Sequence, residues 1–337
     1  MDILKNKLIL EEELLKYGSV SNLSEKAVSL VKQQQATWKI AQSNYRDLSD
    51  VQTKNLDFGD FHVILQHNPG RIRSSTAKTD EKSLNSRPCF LCMNNMQPEQ
   101  KGILFRNKLL ILANPYPIFP VHLTIPSLEH IPQRISRFFT DMVDLSKELK
   151  DFILFYNGPE CGASAPDHFH FQAGNKGFLP IESELGKLES DHSKVLFQDE
   201  ELKVFVVNDY LRRLAVIKSK NSELAVKAFH SLFSKLPSTG DYEPMVNILC
   251  WFTAGIWHVL IFPRSLQRSS HFYREGDGQI LISPASVELS GVVIVPKKRD
   301  FHSVLPRIIE EIYSEVTLQN SDYELWLNSL SELSFED

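Results

Sequence analysis

The chain has 337 residues, 42% hydrophobic and 23% charged, with 14 Gly and 17 Pro. This is the profile of a globular protein with room for one large domain or two ordinary ones, and it excludes a disordered chain or a staple-dependent mini-protein. The formal net charge of −5 argues against a broad surface for a nucleic acid polymer or an anionic membrane, so any phosphate it binds is expected on a small molecule.

Residues 1–55 carry apolar positions at helical spacing, in the opening segment and again from Leu23 to Ile40, and predict a helical preface. Glu11, Glu12 and Glu13 break the opening apolar stretch, so it lacks the run of a secretory leader, and no stretch approaches transmembrane length. From Phe61 the pattern turns to short β-rich runs, FHVILQ, GILF, LLILAN and HLTIP. A helical stretch around Arg137 to Leu149 follows, then FILFYN and HFHFQA. After the charged segment Glu182 to Ser193 the same order returns, with VLF, KVFVV and LAVIKS, a helix across Glu223 to Leu236, and the paired runs VNILCWF and IWHVLIF around Ala254 and Gly255. Strands near Gln279 to Ile282 and Gly291 to Val295 and a helix across Phe301 to Leu318 complete the expectation. The repeat predicts an α+β protein of two similar halves with antiparallel sheets and packed helices. Its divisions are expected at 1–58, 59–195 and 196–337.

The most informative segment is YNGPECGASAPDHFHFQAG, residues 156–174. On a strand, His168, His170 and Gln172 share one face while Phe169 and Phe171 face the other. A His-x-His strand can be no more than a polar face over an aromatic core, but here a loop with Asn157, Gly158, Gly162 and Ser164 leads into it. Such a loop brings backbone N–H groups close to a phosphate. Of the four cysteines, Cys89 and Cys92 form a Cys-x-x-Cys, which in an intracellular chain reads as metal or redox before disulfide, or as a pair of buried small residues. A cytoplasmic location is expected.

These segments resemble the transferase branch of the histidine-triad superfamily: galactose-1-phosphate uridylyltransferases, GDP-hexose phosphorylases and diadenosine tetraphosphate phosphorylases. That branch ends its motif in His-x-His-x-Gln, as HFHFQ does here. FLPIE at 178–182 and RPCFLC at 87–92 are similar to uridylyltransferase segments, the latter to their zinc-binding start. ANPYPIFPVHLTIPSLEH at 113–130 is similar to the Asn-Pro, Gly-His, strand, His run of the superfamily, with Val121 where Gly is usual. ISPASVELSG at 282–291 is similar to a stretch of GDP-hexose phosphorylases. The matches run from about residue 65 to 300, strongest over 87–182, and do not reach the first 55 residues.

The resemblance implies two histidine-triad-like halves, the first holding the chemistry. It implies a structural Zn²⁺ on Cys89, Cys92, His130 and His168, a set whose soft thiolates and imidazoles suit a tetrahedral ion. His122 competes for the third place but is equated with a histidine near the nucleotide pocket, as Asn114 is with that pocket's Asn-Pro. His170 is then the nucleophile that attacks a nucleotide α-phosphorus, and Gln172 donates to a nonbridging oxygen without being able to shuttle a proton. Arg71 and Arg73, in QHNPGRIRSSTAK at 66–78, suit the anionic end of a substrate, or else mark a solvated turn. His258, Arg264 and Arg268 are similar to a uridylyltransferase segment with a second metal, yet Leu260 replaces an expected histidine, so His258 reads as a core or dimer-contact residue and a homodimer is admitted.

The expected activity is that of a nucleotidyltransferase or phosphorylase acting on a nucleoside-diphosphate sugar through a nucleotidyl-histidine, with a phosphate acceptor. The alternatives are a dinucleoside-polyphosphate phosphorylase, a hexose-1-phosphate uridylyltransferase and, from another class, a non-catalytic zinc-stabilised nucleotide-binding protein.

Overall fold

The computed structural model describes residues 2–72, 76, 83–84, 86–208, 210–238, 243–331 and 333–335. The preface is helical at Asp2–Lys7, Glu11–Leu14, Leu23–Thr37 and Lys39–Leu48. Asn22 caps the third of these by accepting from the Glu25 N–H. The helices stop earlier than the periodicity predicts. Gln52–Asp57 is a strand, β1, that pairs antiparallel with β2, His62–His67. QTKNLD has no apolar alternation, and only Leu56 in it is buried, so its strand character comes from its partner. The expected division at residue 58 therefore falls in the turn of a hairpin.

The main sheet begins with β3 (Gly102–Phe105), β4 (Leu109–Ala113) and β5 (His122–Pro126), followed by the helix Phe139–Glu148 and then β6 (Phe152–Asn157) and β7 (His170–Asn175). After the helix Pro180–Asp191 come β8 (Ser193–Gln198), β9 (Leu202–Val207) and β10 (Leu214–Ser219). The helix Ser222–Phe233, capped by Asn221, then precedes β11 (Val246–Thr253) and β12 (Ile256–Pro263). Ala254 and Gly255, both at positive φ, close the β11–β12 hairpin. The ten strands lie in the order β3-β4-β5-β7-β6-β11-β12-β10-β9-β8. Each half thus has the same pattern, in which its fifth strand slots beside its third. The halves join at β6 and β11, where Asn157 stands opposite Asn247. Their equivalent helices meet too, with Phe139 and Phe229 stacked at 3.6 Å. β8 runs across the expected division at 195/196.

Both faces of this sheet are covered, which is why its central strands are continuous apolar runs; all six residues of β6 are buried. One face packs on helices, through Leu123, Phe169 and Phe171 in the first half and Ile217, Ile248 and Ile261 in the second. The other packs on a small sheet in which β2 pairs antiparallel with β1 and parallel with β13, Val292–Val295. Gln279 to Ile282 is not a strand, because no neighbour pairs with it; its Leu281 N–H donates instead to Asp300. The expected helix over Phe301 to Leu318 is two, Lys298–Ser303 and Pro306–Val316, with Pro306 opening the second. Asn320–Ser329 is a further helix. Among the described residues, no helix is long and apolar enough to cross a membrane.

One row of side chains positions the site. Leu112, Thr124, Gln172, Phe155, Leu249 and Leu260 are paired in sequence across the sheet and so share a face. In the second half Leu249 and Leu260 are buried in the core shared with the small sheet. In the first half Leu112, Thr124, Gln172 and Phe155 line a cavity of about 730 Å³ instead.

Candidate active site

The Cys-x-x-Cys turn, the loop after β5 and the residues before β7 bring Cys89, Cys92, His130 and His168 together. Their ligand atoms all lie within 4.8 Å of one another. The two Nδ1 atoms are 3.3 Å apart, Cys92 Sγ is 3.3 Å from His130 Nδ1 and 3.5 Å from His168 Nδ1, and Cys89 Sγ is 3.4 Å from His168 Nδ1. A tetrahedral zinc-like ion would give edges of about 3.3 Å between nitrogens and about 3.6 Å between nitrogen and sulfur. The cluster fits such an ion. His168 Nε2–H donates to the Ser127 carbonyl at 2.9 Å, which leaves Nδ1 as the free lone pair, the support a metal-ligating imidazole needs. Burial holds the Cys89 thiol up to about 11, so a cation among these groups is what would ionise it. His122, the competitor for the third place, is not in this cluster.

His170 opens β7, and its side chain lines the cavity. Its Nδ1 lies 2.9 Å from the His168 carbonyl; only an N–H can donate there, so Nε2 carries the lone pair. Burial pulls its pKa down to about 4, keeping the ring neutral and nucleophilic at ordinary pH. Gln133 clamps the strand: its Oε1 accepts from the His170 N–H at 2.8 Å and its Nε2 donates to the His170 and Asn157 carbonyls, both at 3.0 Å. Sequence reading missed Gln133. It lies outside every motif, in a loop whose approach to β7 is a tertiary contact.

Gln172, two residues on and on the same face, is oriented from behind. His122 Nδ1 accepts from the Ile118 N–H at 3.1 Å, so the proton of this buried ring is on Nε2, which donates to Gln172 Oε1 at 3.0 Å. Burial holds His122 at about 3, first among the causes, so it does not compete by taking a second proton. Asn114 Nδ2 adds a longer contact of 3.4 Å to the same oxygen. The Gln172 NH₂ is thereby the part left for the cavity. The fully buried His122 ring, expected at the substrate pocket, is not part of the cavity wall but sits behind Gln172. Asn114 is on the wall, with its Oδ1 already accepting from Tyr116.

The loop after β6 is braced by the second half. Asn157 Oδ1 accepts from the Ser286 N–H and hydroxyl and from Asn247 Nδ2, at 2.7 to 2.9 Å, which leaves its Nδ2 as the atom for a ligand. Gly162, at φ +95°, lies so close to Ala285 that an added Cβ would stand 2.6 Å from that residue's own. The ISPAS segment therefore works as a wedge against the loop after β6. Ser164 lines the cavity. Arg264, by contrast, is buried and donates to the carbonyls of Val316, Pro284, Leu266 and Gln267, a structural role. His258 stacks flat on Trp251 at 5.0 Å.

Arg71 is half-buried at the cavity, donating one N–H to the Tyr116 carbonyl at 2.7 Å; burial lowers it to about 10, opposed by the nearby Glu288 carboxylate, so it stays cationic. Arg73 lies outside the described residues. Glu288, buried on the same wall with its pKa raised by burial, and Trp38 and Ile40 of the preface were not foreseen.

Comparison with known proteins agrees with this architecture. Residues 30–175 match the family model described as a domain of unknown function (DUF4922), and residues 188–335 match the one described as GDPGP1-like, C-terminal domain. No curated protein sequence matches at a significant level. The crystal structure of yeast Ap4A phosphorylase Apa2 is similar with a TM-score of 0.54 at 14% identity, over 83% of this chain and 94% of that one. Its complex with AMP gives 0.53 at 15% identity, over 83% and 97%. Its complex with Ap4A gives 0.50 at 15%, over 84% and 97%. The chain therefore has the fold of yeast Ap4A phosphorylase Apa2.

Proposed function

We propose that this protein is a nucleotidyl-transferring enzyme, of the phosphorylase or hexose-1-phosphate nucleotidyltransferase type, that acts on a nucleoside-diphosphate sugar. The observation that carries the reading is the pairing of a neutral His170 whose Nε2 is free with a Gln172 amide whose N–H groups are turned to the same cavity. Nε2 attacks the α-phosphorus, the P–N bond forms as the α-phosphorus to bridging-oxygen bond breaks, and the distal sugar phosphate leaves as an anion. A phosphate or sugar-phosphate oxygen then displaces His170. Gln172 stabilises the charge on a nonbridging oxygen but moves no proton, so the site suits weakly basic, anionic leaving groups and acceptors. Asn157 and Ser164 are proposed to hold the α-phosphate, and Arg71 and Arg73 the distal one. Zn²⁺ is the ion proposed for the Cys89, Cys92, His130 and His168 cluster, in a structural role because all four positions are filled by protein. The first histidine-triad-like half then carries the chemistry and the second braces it. All four cysteines are free, which suits a reducing, cytoplasmic setting.

A dinucleoside-polyphosphate phosphorylase would share this chemistry, and yeast Ap4A phosphorylase shares the fold. The test is isotope exchange. Labelled glucose 1-phosphate should enter UDP-, GDP- or ADP-glucose with no other acceptor present, and absence of exchange from all three would reject the nucleotide-sugar reading.

A further inference from the structure

A second cavity, of about 440 Å³, opens beside the catalytic one, and Arg71 and Tyr116 line both. The preface builds much of it. The helix Lys39–Leu48 and the turn after it contribute Asn44, Asp47 and Asp50, while the end of β2 contributes His67 and Asn68 and the far side Lys298. The helix is fixed in place. Asn44 Nδ2 donates to the Pro115 carbonyl at 2.6 Å, and the Tyr45 hydroxyl lies 3.1 Å from the His122 carbonyl, so the wall is tied to the segment that also borders the catalytic cavity.

The atoms left over define the ligand. Asn44 and Asn68 both spend an Nδ2 N–H on proline carbonyls, and His67 Nδ1 spends its proton on the Val295 carbonyl at 3.0 Å. The Asn44 and Asn68 Oδ1 atoms and His67 Nε2 are left as acceptors, and Asn44 keeps a second N–H as a donor. Asp47 and Asp50 add carboxylates, and Lys298 adds an ammonium that makes no hydrogen bond or ion pair among the described residues. A wall that offers both acceptors and donors, the latter from Asn44, Gln52, Tyr116 and Lys298, suits a compact ligand with many hydroxyls. It does not suit a phosphate, which Asp47 and Asp50 would repel, nor a second nucleobase, which would need broad apolar faces. The arginine at the junction suits the phosphate next to such a ligand.

We infer that this second cavity is the hexose subsite, holding the sugar ring of the nucleotide sugar while Arg71 pairs with the phosphate on its anomeric carbon. The inference rests on the nucleotidyl-transfer reading above and adds the place and the residues that select a sugar. The hexose 1-phosphate occupies it both as leaving group and as acceptor, because the second half-reaction retraces the first. The preface, which lies outside the motifs, becomes the specificity element.

The test uses Asp47→Ala/Lys298→Ala, two exposed positions whose loss leaves the fold intact. Formation of nucleotidyl-enzyme is followed by intact mass with UDP-, GDP- and ADP-glucose, with the same diphosphates lacking glucose, and with Ap4A. A diphosphate lacking glucose reports the nucleotide half alone. The double variant should raise KM for the reactive nucleotide glucose at least about tenfold, with kcat and the reaction of the bare diphosphate little changed. An equal effect on both substrates, no effect on either, or faster reaction of Ap4A than of any nucleotide glucose would overturn the subsite. If no probe nucleotidylates the wild-type enzyme, the transfer reading fails, and the subsite fails with it.

Discussion

His122 Nε2 stands 3.0 Å from Gln172 Oε1, and because His122 Nδ1 is occupied by the Ile118 N–H, the direction of that hydrogen bond is fixed. A buried histidine thus decides which end of the glutamine amide faces the cavity. Replacing it with a residue of similar volume that cannot donate should let the amide turn. His122→Phe is expected to lower kcat by about 10²-fold, the scale of losing one oxyanion-type donor, with KM for the nucleotide little changed. His122→Gln, which can donate, should recover much of this. Equal activity of the two variants in steady-state kinetics would reject the orienting role.

His168, the proposed metal ligand, and His170, the proposed nucleophile, are two residues apart yet should fail differently. His168→Ala is expected to lose bound zinc and to melt at a lower temperature, since binding free energy of a structural zinc is folding free energy. His170→Ala should keep one zinc per chain and its melting temperature while turnover falls by at least about 10³-fold. Metal analysis by mass spectrometry beside thermal denaturation separates the two. Wild-type protein with no zinc, purified without a metal column, would remove the metal assignment.

How much of this was legible in the sequence depends on distance along the chain. His168, His170 and Gln172 could be placed on one face because a strand's alternation is local, and Cys89 and Cys92 stood out because few roles demand that pair. The succession of strands and helices along the chain came from apolar runs that needed no partner to be recognised. What was missed is long-range. The polar β1 is a strand only because β2 pairs with it, and Gln279 to Ile282 has strand-like residues but no partner. Gln133 acts through contacts 24 and 37 residues away. His122 was placed near the nucleotide pocket by resemblance alone, and its position behind Gln172 depends on strand register.

Acid stability offers a check on a histidine far from the site. Burial holds His258 down to about 4, so below its ordinary value of 6.5 the unfolded chain takes up a proton that the native ring refuses. Stability from the neutral ring is full above that ordinary value and is lost as pH falls toward 4. By pH 5 the cost is about 2 kcal/mol. His258→Phe keeps an aromatic ring against Trp251 without this loss. Its melting temperature relative to wild type should therefore rise by a few degrees between pH 7 and pH 5. A difference that is constant with pH would show that His258 titrates normally.

Arg71 is expected to serve the distal phosphate rather than the nucleotide. Arg71→Gln should raise KM for the acceptor, inorganic phosphate or glucose 1-phosphate, about tenfold or more, while the rate of nucleotidyl-enzyme formation falls less. Loss confined to that first step, measured by rapid quench, would move Arg71 to the nucleotide side.

The central claim is a covalent nucleotidyl-His170, and intact-protein mass spectrometry tests it most directly. Wild-type enzyme incubated with UDP-, GDP- or ADP-glucose should gain the mass of one nucleoside monophosphate, localised to His170 and absent from His170→Ala. The adduct should persist in buffer and discharge when phosphate or glucose 1-phosphate is added. Turnover of a nucleotide sugar with no adduct in rapidly quenched samples, or an adduct that water discharges as fast as phosphate does, would contradict the account.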